Sequence, residues 1–66
     1  MVAFVITDYI RKRTAYSPES VYDYLTDNTV FGFDELDAIE ASSWCELAYV
    51  GESYTGDGFY IEVKEE

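Results

Sequence analysis

The opening of the chain combines a continuous apolar run with a short segment that carries three bases. Residues 2–6, Val-Ala-Phe-Val-Ile, predict a short buried strand, since an apolar run of this length is typical of one. Thr7 is a suitable N-cap, and residues 8–13 then predict a short helix. Asp8 would lie in its first turn and the bases in its last, which complements the helix dipole at both ends. The basic cluster thus has a local structural explanation.

The clearest helix signal in the chain is the segment Ser17-Pro18-Glu19. It offers a serine N-cap, a proline at the first helical position and an acid in the first turn. The helix predicted from this signal spans roughly residues 18–27, and Asn28 is suited to end it because Asn tolerates the left-handed backbone conformation. The side chains that share its apolar face are Val21, Tyr22 and Leu25.

A third helix is predicted to begin after Asp34, whose side chain can cap it. The apolar side chains that helical spacing places within one broad arc are Leu36, Ile39, Trp44 and Leu47. We favour a long helix that continues to Ala48 and ends before Gly51, because Ala, Glu and Leu dominate this segment. The alternative ends the helix near Ser42 and makes residues 44–50 a strand.

The C-terminal segment has the pattern of a β-hairpin. Residues 55–58, Thr-Gly-Asp-Gly, have turn chemistry, and residues 59–64 alternate between apolar and polar side chains as a half-buried strand does. Residues 52–55 can pair with that strand. The whole chain, 1–66, therefore predicts one small acidic α+β domain, with two or three short helices packed on a small antiparallel sheet that ends in a C-terminal β-hairpin.

Composition favours a folded protein of the cytosol. Hydrophobic residues make up 48% and aromatic residues 18% of the 66 residues, whereas disordered acidic chains are poor in aromatics. The opening apolar run is too short for a signal peptide or a membrane span. Cys45 is the only cysteine, and a free thiol without disulfides suits a reducing compartment. A core this small supplies only about 3–5 kcal/mol of net stability, so a dimer or a stabilising partner would fit.

Charge is distributed unevenly along the chain. Residues 1–13 contain the three bases of 11–13 against one acid and have a net charge of +2, whereas residues 14–66 contain thirteen acids against Lys64 and have a net charge of −12. No Lys, Arg or His occurs in residues 14–63. Binding to phosphates needs a basic surface, so direct nucleic-acid binding and docking to an anionic membrane are disfavoured.

The sequence predicts no catalytic, cofactor-binding or metal-binding residue. The chain has no His, which excludes Ser-His and Cys-His nucleophile pairs and His-ligated metals. Cys45 has no neighbouring base to lower its pKa, and we expect a packed or partly buried thiol. Two carboxylates could hydrolyse a glycosidic bond, but 66 residues rarely build the cleft that this reaction needs. The glycines fit no phosphate-binding loop, and Asp57-Gly58 lacks the repeated acids of a calcium loop.

Two rows of acids are the candidate binding surface. Three acids on the second predicted helix recur at i, i+4 and i+8, about 6 Å apart along the helix axis, which is similar to the path between phosphates of a nucleic-acid strand. A comparable row begins the third helix, and two tyrosines beside the first row could anchor a partner's Arg and Lys. The predicted partner-binding residues are Glu19, Tyr22, Asp23, Tyr24, Asp27, Asp34, Asp37 and Glu40.

These rows also have a plain interpretation, in which they are solvated faces and the tyrosines cap a tiny core. The absence of any base over residues 14–63 favours the binding interpretation, because an ordinary soluble surface mixes both signs.

In size, charge and its segments Tyr-Asp-Tyr (22–24) and Phe-Asp-Glu-Leu-Asp (33–37), the chain resembles small phage or mobile-element inhibitors. Those are the anti-CRISPR and anti-restriction proteins that imitate DNA. The resemblance covers general character without an aligned motif, so it carries over no functional residue.

The resemblance implies a non-enzymatic inhibitor or adaptor that occupies the basic nucleic-acid-binding surface of a nuclease or a similar protein. Residues 11–13 depart from a purely acidic mimic, so they would lie outside that contact or in a homodimer contact with another chain's acids. Two alternatives remain open at this point. One is a small structural homo-oligomer whose aromatic residues meet across a subunit interface, and the other is an acidic regulator of a toxin or a transcription factor.

Overall fold

The chain folds as a four-stranded antiparallel sheet with two helices. The computed structural model describes residues 1–66. Its elements are β1 (Val2–Thr7), β2 (Lys12–Ala15), α1 (Pro18–Thr26), α2 (Glu35–Glu46), β3 (Ser53–Thr55) and β4 (Tyr60–Glu65). The strand order β2-β1-β4-β3 places the first and last strands at the centre of the sheet, each with its hairpin partner at an edge. The predicted α+β class and the C-terminal hairpin are confirmed, and the two helices agree with the two or three predicted.

The core lies between the helices and one face of the sheet. In the central strand pair, Phe4 faces Val63 and Ile6 faces Ile61, and directly paired residues point to the same side of a sheet. These side chains join those of both helices in one buried cluster. Its members are Phe4, Ile6, Ala15, Val21, Leu25, Ala38, Ala41, Cys45, Phe59, Ile61 and Val63.

The opposite face of the sheet has no helix over it. Ala3 and Val5 alternate with the core residues of β1 and lie outside the core cluster, although both are buried. Their cross-strand partners are Lys64 and Glu62, whose aliphatic stems can shield small neighbours from water. This face is therefore thinly covered and carries charges of both signs.

The short helix predicted for residues 8–13 is wrong, because this segment forms a turn and the strand β2. The Asp8 carboxylate accepts hydrogen bonds from the N–H groups of Ile10 at 2.8 Å and Arg11 at 2.6 Å, and the Asp8 N–H donates to the Arg11 carbonyl at 3.0 Å. The Arg11 hydrogen bond is the main cause that lowers the pKa of the Asp8 carboxyl. An acid at a helix N-terminus makes similar bonds, so only the pairing of β2 with β1 selects the hairpin.

The predicted start of α1 is confirmed in detail. The Ser17 Oγ accepts a hydrogen bond from the Ser20 N–H at 3.1 Å, and Pro18 occupies the first turn. The helix ends at Thr26, one residue earlier than predicted, and Asp27 rather than Asn28 follows it as the C-cap. Two of the three predicted apolar side chains of this helix, Val21 and Leu25, are fully buried, and Tyr22 is half-buried against the core.

The long form of the next helix is confirmed, since Trp44 lies within α2 and the strand alternative for residues 44–50 is wrong. The helix ends at Glu46, two residues before the predicted end. Asp34 is its N-cap, but its side chain makes no capping hydrogen bond. Neither this helix nor α1 has the length and apolar character needed to cross a bilayer.

The apolar arc predicted on α2 does not pack on the core as a whole, although one of its members, Trp44, lies partly buried against it. The buried residues are small, and they are Ala38, Ala41 and Cys45. The larger Leu36 and Leu47 are 77% and 84% exposed, and Ile39 is 46% exposed. Small side chains at a packing contact allow the helix backbone to approach its neighbours closely. The thin core of a 66-residue protein requires this close approach.

The turn between β3 and β4 fits closely around Phe59. A Cβ atom on Gly56 would lie 2.4 Å from Cζ of the Phe59 ring, so no larger residue can occupy this position without moving the ring. The ring is buried, and its centroid lies 4.8 Å from that of Phe33 in the connector between the helices. Phe59 thereby attaches the C-terminal hairpin to the helices.

Candidate functional site

The helices and their connector concentrate negative charge. We call residues 17–47 the helical layer, and they contain no base. The acids of the layer are Glu19, Asp23, Asp27, Asp34, Glu35, Asp37, Glu40 and Glu46. These residues give the layer a net charge of −8, and the rest of the chain, which holds all four bases, has −2, which together make the total of −10. The molecule is therefore strongly polarised.

Its own bases do not neutralise this charge. The single salt bridge of the protein joins the Met1 ammonium to Glu65 at 2.6 Å, outside the helical layer. Five of the six predicted binding acids make no side-chain hydrogen bond within the chain. The exception is Asp27, whose carboxylate accepts hydrogen bonds from the N–H and Oγ1 of Thr29, and the Oγ1 bond is the larger of the two causes that lower its pKa. The other five carboxylates are free to meet a partner.

The acid row predicted on α1 is present on the surface. Glu19, Asp23 and Asp27 are all exposed. At about 100° per residue they lie on the side of the helix opposite Val21 and Leu25. The row therefore forms a ridge that points away from the core.

The two predicted tyrosine anchors do not lie together. Tyr22 faces α2, where its hydroxyl donates a hydrogen bond to Glu35 at 3.1 Å, and this bond is the main cause that raises the pKa of Tyr22. Tyr24 is half-buried against the core. Because it lies about 200° further around α1, it falls on the other flank of the helix. The prediction that both tyrosines accompany the acid ridge as one pair is thus not supported by the geometry.

The second predicted row lies on the flank of α2 that faces β3. Burial raises the pKa of Tyr54 on β3, and the charges of Glu40 and Asp37 add to the effect, which places both acids near its hydroxyl. Glu40 is exposed and Asp37 half-buried. The centroid of the Tyr54 ring is 5.4 Å from that of Trp44. Asp37 and Glu40 therefore lie on the Tyr54 side of α2, Asp34 is the exposed N-cap of the same helix, and the first row lies on α1.

The outer side of α2 carries an exposed apolar stripe. We define the α2 stripe as Leu36, Ile39 and Leu47, which share the outer side of α2 at helical spacing. Glu35 and Glu46 flank it on the side of α1, and Glu40 flanks it on the other. Helical spacing predicted one apolar arc for these side chains but did not predict that they are exposed.

A shallow groove lies beside the stripe, between the two helices. Its volume is about 510 Å³, and it is lined by Ser17, Pro18, Glu19, Tyr22, Ser42 and Glu46. The two acids in this lining come from different helices. A positively charged side chain of a partner could therefore bind both acids at once.

No arrangement of reactive groups accompanies this surface. No three potential metal-ligating side chains lie close enough together to hold a metal ion. A second shallow cavity, of about 290 Å³, lies between the two hairpin turns and contains a single carboxylate, that of Asp8, which its own turn already binds. Cys45 is buried, as predicted. The acidic helical layer is thus the most distinctive chemical feature of the molecule.

We expect the Cys45 thiol to resist alkylation at neutral pH. Burial raises its pKa to about 12, so the nucleophilic thiolate is scarce. The raised pKa stabilises the fold fully below the ordinary value of 9.0, and this contribution is lost as the pH rises towards about 12. Mass spectrometry after iodoacetamide treatment should show slow labelling of the native protein and rapid labelling in denaturant. Rapid stoichiometric labelling of the native protein would contradict the buried position of Cys45.

No family model, curated protein or solved structure matches the chain. Function must therefore follow from the surface itself. The relevant features are the unpaired acids of the helical layer, the α2 stripe between them and the separate group of bases on the sheet.

Proposed function

We propose that the protein is a non-enzymatic inhibitor or adaptor of the cytosol, and that its helical layer binds the basic nucleic-acid-binding surface of another protein. The observation that carries this proposal is the net charge of −8 on the helical layer, with no base in it and no ion pair to relieve it. Basic surfaces that bind phosphates attract such a layer through the same long-range field.

The amount of charge exceeds what solubility requires. A net charge of magnitude about 2–8 is enough to keep a small domain soluble, and this chain has −10. Like charges repel one another and destabilise the compact state, which matters in a domain with about 3–5 kcal/mol of net stability. An acidic surface that costs stability and is not needed for solubility is best explained by a basic partner.

The charge density is also of the order found in duplex DNA. The protein measures 27 × 21 × 17 Å, and a duplex carries one charge per about 1.7 Å of its axis. A duplex as long as the protein would thus carry about 16 charges, against a net charge of −10 here. This comparison supports imitation of DNA, in the manner of the inhibitors that the sequence resembles.

The proposal is tested by capturing partners from a lysate of the host cell with the tagged protein. We expect a nuclease or another nucleic-acid-binding protein, released as the salt concentration rises. Duplex oligonucleotide added at constant salt should release the same protein, because it competes for the same surface. The control is an immobilised domain of similar size with a net charge near zero. Capture of no protein beyond those on the control, or retention of the captured protein in excess oligonucleotide, would overturn the proposal.

Capture of a toxin or a transcription factor would support the alternative function, an acidic regulator of that protein. The salt gradient would behave in the same way with such a partner, because the same carboxylates would bind it. The oligonucleotide separates the two cases, since it releases only a partner whose contact surface is also its nucleic-acid-binding surface.

A further inference from the structure

The hairpin that joins β1 and β2 presents a surface opposite in character to the helical layer. We define the basic tip as residues 9–13. Its Tyr9 and Ile10 are 95% and 87% exposed, the highest fractions among the large hydrophobic residues of the chain. The three bases that follow them are also exposed, and none forms a salt bridge with any of the protein's acids.

The shape of the basic tip is held by its own hydrogen bonds. The Asp8 carboxylate accepts hydrogen bonds from the N–H groups of Ile10 and Arg11. The Asp8 N–H donates a hydrogen bond to the Arg11 carbonyl, which closes the turn. The only acid of the hairpin is therefore engaged with its own backbone. An ordered tip loses little conformational freedom on binding, which favours association.

The basic tip and the α2 stripe are complementary. Each offers exposed apolar side chains beside charges of one sign, positive at the tip and negative around the stripe. The exposure of both surfaces shows that they do not cover each other within one chain. Two copies of the α2 stripe would bring like acids together, so a stripe-to-stripe dimer is disfavoured by repulsion.

We propose that the basic tip of one copy docks on the α2 stripe of a second copy. This contact is heterologous, so each pair keeps one free tip and one free stripe and can extend into a chain or close into a ring. The total charge of −10 per copy opposes association, but exposed charges are screened beyond about 8 Å at physiological ionic strength, whereas the molecule is 27 Å long. The local attraction between tip and stripe therefore decides the outcome.

Two charge-reversed variants and their mixture test this contact. The first variant carries Arg11→Glu and Arg13→Glu, and the second carries Glu40→Lys and Glu46→Lys. Sedimentation velocity at physiological ionic strength and over a range of concentrations should show association of the wild type and monomers of each variant alone. An equimolar mixture of the two variants should associate again, because the native tip of the second variant can dock on the native stripe of the first, and the two reversed surfaces are also opposite in charge. Lys64→Glu, which reverses a base outside the tip, should associate like the wild type.

A monomeric wild type at every concentration, or variants that associate alone as strongly as the wild type, would overturn the proposal. Far-UV circular dichroism on each variant establishes that the fold is intact. Ile10→Ser tests the apolar part of the contact, and we expect self-association to weaken about tenfold or more, because the contact then buries less apolar surface. The experiment uses only this chain, so its result does not depend on the capture of another protein by the helical layer.

Discussion

Replacing Leu25 by alanine is expected to unfold a large fraction of the protein. Leu25 is fully buried in the core between α1 and the sheet. Truncation of a buried leucine costs about 2–5 kcal/mol, because apolar surface is lost and a cavity remains. A domain of this size has only about 3–5 kcal/mol to lose. Urea denaturation followed by circular dichroism should show a transition shifted to much lower urea, or no folded baseline at all.

Leu47→Ala is the matched control for this prediction. Leu47 has the same side chain but is 84% exposed at the end of α2, and substitutions at such positions change stability by about 0.5 kcal/mol or less. The comparison also tests the orientation of α2. Equal destabilisation by both substitutions would mean that α2 buries the side that carries Leu36 and Leu47, and the described core would be wrong.

Reversal of three acids on the helical layer is expected to weaken partner binding by about 100-fold or more. The variant carries Glu19→Lys, Asp23→Lys and Glu40→Lys, whose carboxylates are exposed and have no bonding partner within the chain. Each reversal replaces an attraction to a basic surface by a repulsion, and a total loss of about 3 kcal/mol corresponds to about two tenfold steps in affinity. Isothermal titration calorimetry with the captured partner measures this loss of affinity.

The matched control reverses three acids outside the helical layer, with Asp57→Lys, Glu62→Lys and Glu66→Lys. Both variants change the net charge by the same amount, so a difference between them locates the contact. The control should keep most of its affinity. If both variants lose affinity equally, binding depends on total charge and not on the helical layer. Neither set should weaken the fold much, because removal of like charges relieves self-repulsion.

Local sequence signals predicted several elements well. Ser17 and Pro18 set the start of α1 through a cap and a fixed backbone angle, which involve only neighbouring residues. The turn at residues 55–58 and the alternation after it predicted the C-terminal hairpin in the same way. These elements can be predicted from local sequence alone.

The errors arose where distant residues decide the structure. The bonds made by Asp8 suit either a helix start or a turn, and the choice depends on the pairing of β2 with β1. On α2, hydrophobicity alone favours Leu36 and Leu47 for the core, whereas the fold buries small residues there. The side-chain size that a packing contact can accommodate depends on the elements packed against it, and the sequence of one helix does not show these elements.

The candidate site was predicted only in part, and for the same reason. Helical spacing and charge were enough to predict that the acids of α1 form one exposed row. Spacing along one helix does not show which flank faces another element. The separation of Tyr22 from Tyr24 follows from helical spacing and the Asp27 hydrogen bonds are local, whereas the approach of Asp37 and Glu40 to Tyr54 is set by tertiary packing.

The central pairing of β1 with β4 has a consequence for folding. Residues 2–7 pair with residues 60–65, so the contacts that complete the core join segments almost the whole described length apart. Such high contact order slows folding, because the loop must close before these contacts form. The helices and both hairpins can appear earlier, but the core is complete only when that strand pair forms. We therefore expect neither half to fold alone, because a cut between the two strands leaves their pairing without a covalent connection.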